Sequence, residues 1–365
     1  MDKTRSRYEE QALPLFRWHL TTGIDDVAVT AMIKGNIWID FRKLDETAAA
    51  LAQKEMPLPK WDYPVFLNRS EGFTMEQIIA SIILGNTVNS GYNNIETKSK
   101  YYTIYGTGRD GKPAAWKGAD GMWASLKRAI EEGYGILDGD YLSRITAGEV
   151  AGIFNRPDQQ HVLGDGFTTY IPLLEERAAI LREVGHVLTD RYSGSFYNVF
   201  RDSNGRLFDG GKGFLERLIG EFPSFRDVES YFGRPVGFYK RAQLAAAMLH
   251  EKLIGMGETG FPEKDIGELT VFVDYNLPAI LRKLGILNYG PDLARKVDAR
   301  EEIPRGSSEE IEIRATTMKA CNMLEARIKE ANPDKKITAL HVDYLLWSAG
   351  RGAETVPHLT GTTMY

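Results

Sequence analysis

Residues 171–190 read IPLLEERAAILREVGHVLTD, with Leu173, Leu174, Ile180, Leu181, Val184, Val187 and Leu188 recurring at the three- and four-residue steps of one helix face. The same period governs most of the chain on either side. Thr74 and Gln77 make a capping-box pattern ahead of Ile78, Ile79, Ile82 and Ile83. Phe214, Leu215, Leu218, Ile219 and Phe222 form a shorter stripe, and 237–253 is Ala-rich, with Ala245, Ala246 and Ala247 permitting close packing. Leu277, Ile280, Leu281 and Leu284 mark a helix that stops at Gly285. Ser307 with Glu310 is a second capping box, before a buried side of Met318, Cys321, Leu324 and Ile328. A last helix starts near Thr338 and carries Leu340, Tyr344 and Trp347.

Strand signals are few. KYYTIY (100–105) followed by GTGRDGKP predicts a small hairpin, and the β-branched 270–273 is a candidate extended segment. The expected fold is mainly α with at most a small β-hairpin in the N-terminal half. It divides into an N-terminal helical lobe at 1–150 carrying the hairpin and a C-terminal lobe at 151–365 carrying the main motifs, or forms one intertwined domain.

Composition narrows the class. The 365 residues are 43% hydrophobic and 26% charged, enough apolar content to fold without covalent staples. The net charge of −5 gives no cationic field for a long nucleic acid. A single cysteine, Cys321, excludes an intrachain disulfide and a Cys-based zinc cage, and the six histidines lack metal-ligand spacing. MDKTRSRYEE carries charges where a secretory signal needs an apolar core, and the most apolar window, 78–84, is too short to span a bilayer. A cytoplasmic protein with no membrane partner, no metal and no cofactor is expected, working as a monomer or weak homo-oligomer. No Walker A loop or GxGxxG follows a clear strand, and there is no GxSxG.

Four constellations carry candidate chemistry. In FVDYNLP (272–278), Asp274 lies ahead of a helix whose first amides are unpaired, which favours its ionised form beside Phe272 and Tyr275. Such a carboxylate suits a cation developing in a transition state; the competing reading is that Asp274 or Asn276 merely caps the helix. Asp343 shares a helix face with Leu340, Tyr344 and Trp347 and is either a useful desolvated carboxylate or half of an ion pair. Lys240 and Gln243 lie one turn apart in FYKRAQ (238–243), and Lys240 with Arg241 is a candidate phosphate or ribose clamp, against the alternative of a solvated helix face. Asn86 and Asn89 interrupt an apolar helix side, where a purine edge or the backbone would satisfy their amides.

Taken in order, LKRAIEEG (126–133), LLEERAAILREVG (173–185), GSFYN (194–198), FPSFRDV (222–228), FYKRAQ, LTVFVDYNLPAILRKLGILNYGPDL (269–293), EEIEIRA (309–315) and VDYLLW (342–347) resemble the queuosine salvage protein family of queuosine 5′-phosphate N-glycosylases. The resemblance covers roughly residues 120–350. It implies a mostly helical fold similar to helix-hairpin-helix DNA glycosylases and hydrolysis of the bond joining a 7-deazaguanine base to ribose 5′-phosphate. Asp274 matches the Asp of the family's FADYR motif, its catalytic carboxylate. Phe272, two places before, matches a base-stacking aromatic, and Lys240 matches the FYKRAQ lysine expected at the sugar or phosphate. Asp343 and Tyr344 match the start of DYxLWD, part of the base pocket.

The chain also departs from the pattern. Asn276 and Ala279 stand where the family's DYR-x-PQ has Arg and Gln, Ser348 replaces the last Asp of DYxLWD, and Asn86 and Asn93 replace the Asp and Trp of DxLNFxFW. The expected function is therefore N-glycosidic hydrolysis of queuosine 5′-phosphate or a related modified nucleotide, with Asp274 and Lys240 catalytic and Phe272, Tyr275, Asp343, Tyr344 and Asn86 holding the substrate. A non-catalytic binder of a modified purine nucleotide is the alternative, and an enzyme acting on bases within DNA is disfavoured by the charge.

Overall fold

The 171–190 stretch forms the helix Leu174–Tyr192 in the computed structural model, which describes residues 20, 22–96, 102–108, 110–164, 168–350 and 355–365. Its buried face of Arg177, Ala178, Leu181, Val184, Gly185, Leu188 and Tyr192 follows the predicted period. Gly185 belongs to that face because the short helix Gly139–Leu142 crosses there. A Cβ at 185 would stand 2.2 Å from the Ser143 amide nitrogen and 2.6 Å from the Leu142 carbonyl carbon.

The chain is mainly helical, as the periodicity predicts. The helix Met75–Thr87 opens on a complete capping box: the Gln77 amide donates to Thr74 Oγ1 at 3.2 Å and the Thr74 amide to Gln77 Oε1 at 3.0 Å. The long helix Ser308–Ala331 has half of one. Ser307 Oγ accepts from the Glu310 amide, but the Glu310 carboxylate turns to the Gly306 amide and to Arg314. Among the described residues no helix is long and apolar enough to cross a membrane.

The predicted hairpin pairs Thr103–Thr107 with Pro113–Lys117; Lys100 and Tyr101 of the quoted motif lie outside the described residues. Two further antiparallel pairs join Ile37–Ile39 to Leu287–Tyr289 and Val228–Tyr231 to Arg234–Gly237. The segment 270–273 pairs with no strand among the described residues. Its Thr270 and Phe272 amides are taken by the side chains of Gln243 at 2.8 Å and Asp343 at 2.7 Å, so no ladder is needed to satisfy them.

Buried apolar residues fall into two clusters that interleave along the chain. One gathers Ile79–Val88, Trp123, the Leu174–Tyr192 face and Ala242–Leu253. The other joins Ile24–Leu51 to Val271, Val273, Leu281 and Ile311–Ile328, because Ser308–Ala331 packs across the helices Ile24–Lys34 and Phe41–Ala52. A cavity opens at the seam: Phe272 and Leu340 of the first cluster line it together with Leu277 and Ile280 of the second.

Candidate active site

One buried ion pair sets the frame of this cavity. Arg314, from the long helix, meets Asp227 through two hydrogen bonds of 2.6 and 3.0 Å, with side chains 1% and 2% exposed. The same guanidinium donates to the Val273 carbonyl at 3.3 Å, one residue before Asp274. Asp227 in turn accepts the backbone amide of Lys240 at 3.3 Å, at the start of the helix Lys240–Gly255. Positions from 227 to 314 along the chain are thus tied to one charged centre. Burial disfavours the Arg314 charge, but Asp227 and Glu310 outweigh it and raise its pKa.

Two further buried arginines shape the opposite wall. Arg241 donates to the carbonyls of Asn86 and Thr87, at the C-terminal end of Met75–Thr87, and to that of Ser224. Burial lowers its pKa to about 10, which leaves it charged at neutral pH. Arg177 holds the next turn through the carbonyls of Val88, Ser90 and Gly91. Asn89 and Tyr92 reach the cavity from this clamped loop.

The cavity encloses about 650 Å³, within the range of small-molecule sites. Lys240, Phe272, Asp274, Tyr275, Asp343 and Tyr344 all line it. Asp274 is half-buried just ahead of the helix Asn276–Lys283. Its Oδ1 accepts the Asn276 amide at 2.7 Å and its Oδ2 the Asn276 side-chain amide at 3.2 Å. Tyr275 is the N-cap and makes no side-chain cap bond, so Asp274 braces the first helical residue from one place further out, and it also lines the cavity.

Asp343 takes the Phe272 amide at 2.7 Å, yet its depth in the site pushes its carboxyl up to about 7, with the nearby Asp274 charge adding to the effect. Burial lowers the Lys240 pKa and the Asp274 and Asp343 carboxylates oppose that shift. Its ammonium, with three donors, spends one on the Asn89 carbonyl at 3.4 Å. Tyr344 and Trp347 stack at 5.8 Å between ring centroids, and Trp61, Tyr63, Trp116 and Trp123 make other walls aromatic.

Residues 70–365 match the family described as queuosine salvage protein. The chain belongs to the queuosine salvage protein family. It is similar to the queuosine 5′-phosphate N-glycosylase/hydrolase of Sphaerobacter thermophilus, 38% identical over 335 residues that cover 90% of this chain and 93% of that protein. It is likewise similar to the proteins of the same name from Mus musculus, 31% identical over 76% of this chain and 77% of the relative, and Bos taurus, 32% identical over 63% and 66%.

Not every predicted residue reaches the cavity of this family member. Asn86 is fully buried and does not line it: its side-chain amide donates to the Ile82 carbonyl, and its oxygen accepts from Asn89, so it supports the asparagine that does. Gln243 is spent on Thr270 and the Phe238 carbonyl, and Arg241 on the helix end, so neither joins Lys240 as a clamp. Of the departures from the family pattern, Asn276 faces the cavity while Ala279, Ser348 and Asn93 do not line it. Sequence reasoning missed Glu251, although the spacing Lys240, Leu244, Met248, Glu251 puts it on the same helix face. It also missed Trp116, Lys117 and Asp120, which the hairpin and the following helix Ala119–Glu131 bring to the cavity lining.

Proposed function

We propose that the chain is a nucleotide N-glycosidase that hydrolyses the N-glycosidic bond of queuosine 5′-phosphate or a related 7-deazaguanine nucleotide and frees the base for salvage. What carries this reading is the convergence of Lys240, Phe272, Asp274 and Asp343 on one aromatic-walled cavity.

As the bond from C1′ to the base nitrogen breaks, positive charge builds on the ribose. Asp274, held by Asn276, faces that charge without having to reorganise, which favours the transition state over the bound substrate. Water adds its hydroxyl to C1′, and its proton passes to the departing base. The unspent donors of Lys240 bind ribose hydroxyls or the 5′-phosphate, so remote contacts orient the sugar. Phe272 and Tyr344 hold the base by its faces, with Tyr275 closing the wall beside them, and Asp343 accepts hydrogen bonds from its N–H groups. The net charge of −5 fits a free nucleotide better than a nucleic acid.

Asp274→Asn is the test. Chromatography of free base should show kcat reduced about 10²–10³-fold with nucleotide affinity retained; turnover near that of the unaltered protein would refute the assignment. A binder without turnover is the second reading, favoured by the engagement of both Asp274 oxygens by Asn276. Absence of base release from any 7-deazaguanine or purine nucleotide would establish it.

A further inference from the structure

The helix Lys240–Gly255 runs along the cavity and shows it Lys240, Leu244, Ala247, Met248 and Glu251. Eleven residues at 1.5 Å each put Glu251 about 16 Å from Lys240 along the axis, on the same face. The far end is walled by Leu58, Pro59 and Trp61, since the neighbouring Lys252 donates to the Trp61 carbonyl at 2.7 Å and Gly255 abuts the Lys60 side chain.

Glu251 is out of place in such a wall. Its side chain is 14% exposed, and the His250 imidazole stands 3.7 Å away, beyond hydrogen-bond range. Burial lowers the His250 pKa, so that imidazole is neutral at physiological pH, and burial alone pushes the Glu251 carboxyl up to about 7. A carboxylate so enclosed and unpaired costs stability unless something else pairs with it. A phosphate at this end would be repelled, whereas a cation would be held. Queuine carries such a group: a secondary amine, protonated at neutral pH, in the arm on its 7-deazaguanine ring.

Building on the N-glycosidase reading above, we propose that Glu251 is a specificity-determining residue that pairs with a positively charged arm on the substrate base, at the end of the cavity opposite Lys240. The chain then selects 7-deazaguanine bases bearing a cationic substituent over the unsubstituted ring.

The experiment measures binding of queuine and of 7-deazaguanine by calorimetry, with kcat/KM on their nucleoside 5′-phosphates in parallel, for the full chain and for Glu251→Gln and Glu251→Ala. The unaltered protein should prefer queuine about ten- to hundredfold, the worth of one charge-assisted hydrogen bond, and both variants should lose most of that ratio. The ratio does not depend on how much of a variant is folded. A preference unchanged by Glu251→Gln, a variant that weakens both bases equally, or an unaltered protein that binds neither base or shows no preference overturns the proposal. If the queuine preference and its loss are seen while neither nucleotide is cleaved, the hydrolytic reading fails and the role of Glu251 stands.

Discussion

Replacing Asp227 by Asn keeps the shape of the side chain and removes its charge. Arg314 would then sit with 1% of its side chain exposed and Glu310, at 3.4 Å, as its remaining carboxylate. Two charge-assisted hydrogen bonds, at 2.6 and 3.0 Å, are weakened together. At ~1.5–3 kcal/mol each they amount to about 3–6 kcal/mol, in line with the ~3–5 kcal/mol typical of a broken buried pair. That is a large share of the ~5–15 kcal/mol of a folded domain, so urea midpoints should drop sharply at constant slope. Because the pair anchors the Lys240 amide and the Val273 carbonyl, kcat/KM of the protein that remains folded should also fall, by about 10²-fold for a displacement near 1 Å. The double change Asp227→Leu with Arg314→Met should return stability to within ~1 kcal/mol of the start or above it, with activity still low. A loss below ~1 kcal/mol in Asp227→Asn refutes the energetic argument. A large loss with intact kcat/KM refutes the positional one.

The raised Asp343 pKa makes a pH prediction. As an acceptor it must be ionised, so kcat/KM should climb as pH rises through about 7, and Asp343→Asn should flatten that limb of the profile. The sign for folding is opposite: a carboxyl raised from 3.8 favours the protonated fold, so its contribution is present below that value and is lost as pH rises through about 7. Gly185→Ala should destabilise the protein by about 1–3 kcal/mol in thermal or urea melts despite the better helix propensity of Ala, because the new methyl meets the backbone of Leu142 and Ser143; a stabilised variant would show that the crossing is looser than described.

What could be read from the residues alone is what local rules govern. Capping of Met75–Thr87, the buried face of Leu174–Tyr192 and the stop at Gly285 depend on neighbours within a turn or two. The cavity residues Asp274, Lys240, Phe272 and Asp343 were legible because a motif and a family likeness pointed at the same positions. Arg177, Arg241 and Gln243 were not: a long polar side chain on a helix looks the same whether it meets water, a ligand or the carbonyls of another segment, and only the packed chain decides. The sheets joining 37–39 to 287–289 and 228–231 to 234–237 escaped because three- and four-residue strands carry too few positions for an alternation to register. Glu251 hid for a further reason, since its role depends on the length of a helix and on which side the cavity lies.

The pairing of Ile37–Ile39 with Leu287–Tyr289 bears on how the molecule is made. On a ribosome adding ~5–20 residues per second, the early strand waits roughly 10–50 s for its partner to emerge, with the helices Ile24–Lys34 and Phe41–Ala52 lacking the long helix they pack against. Throughout that interval their apolar stripes are exposed to chaperones and to other nascent chains. Slow, concentration-sensitive maturation is thus built into the topology, and two fragments separated near the middle of the chain should regain their shape only when mixed.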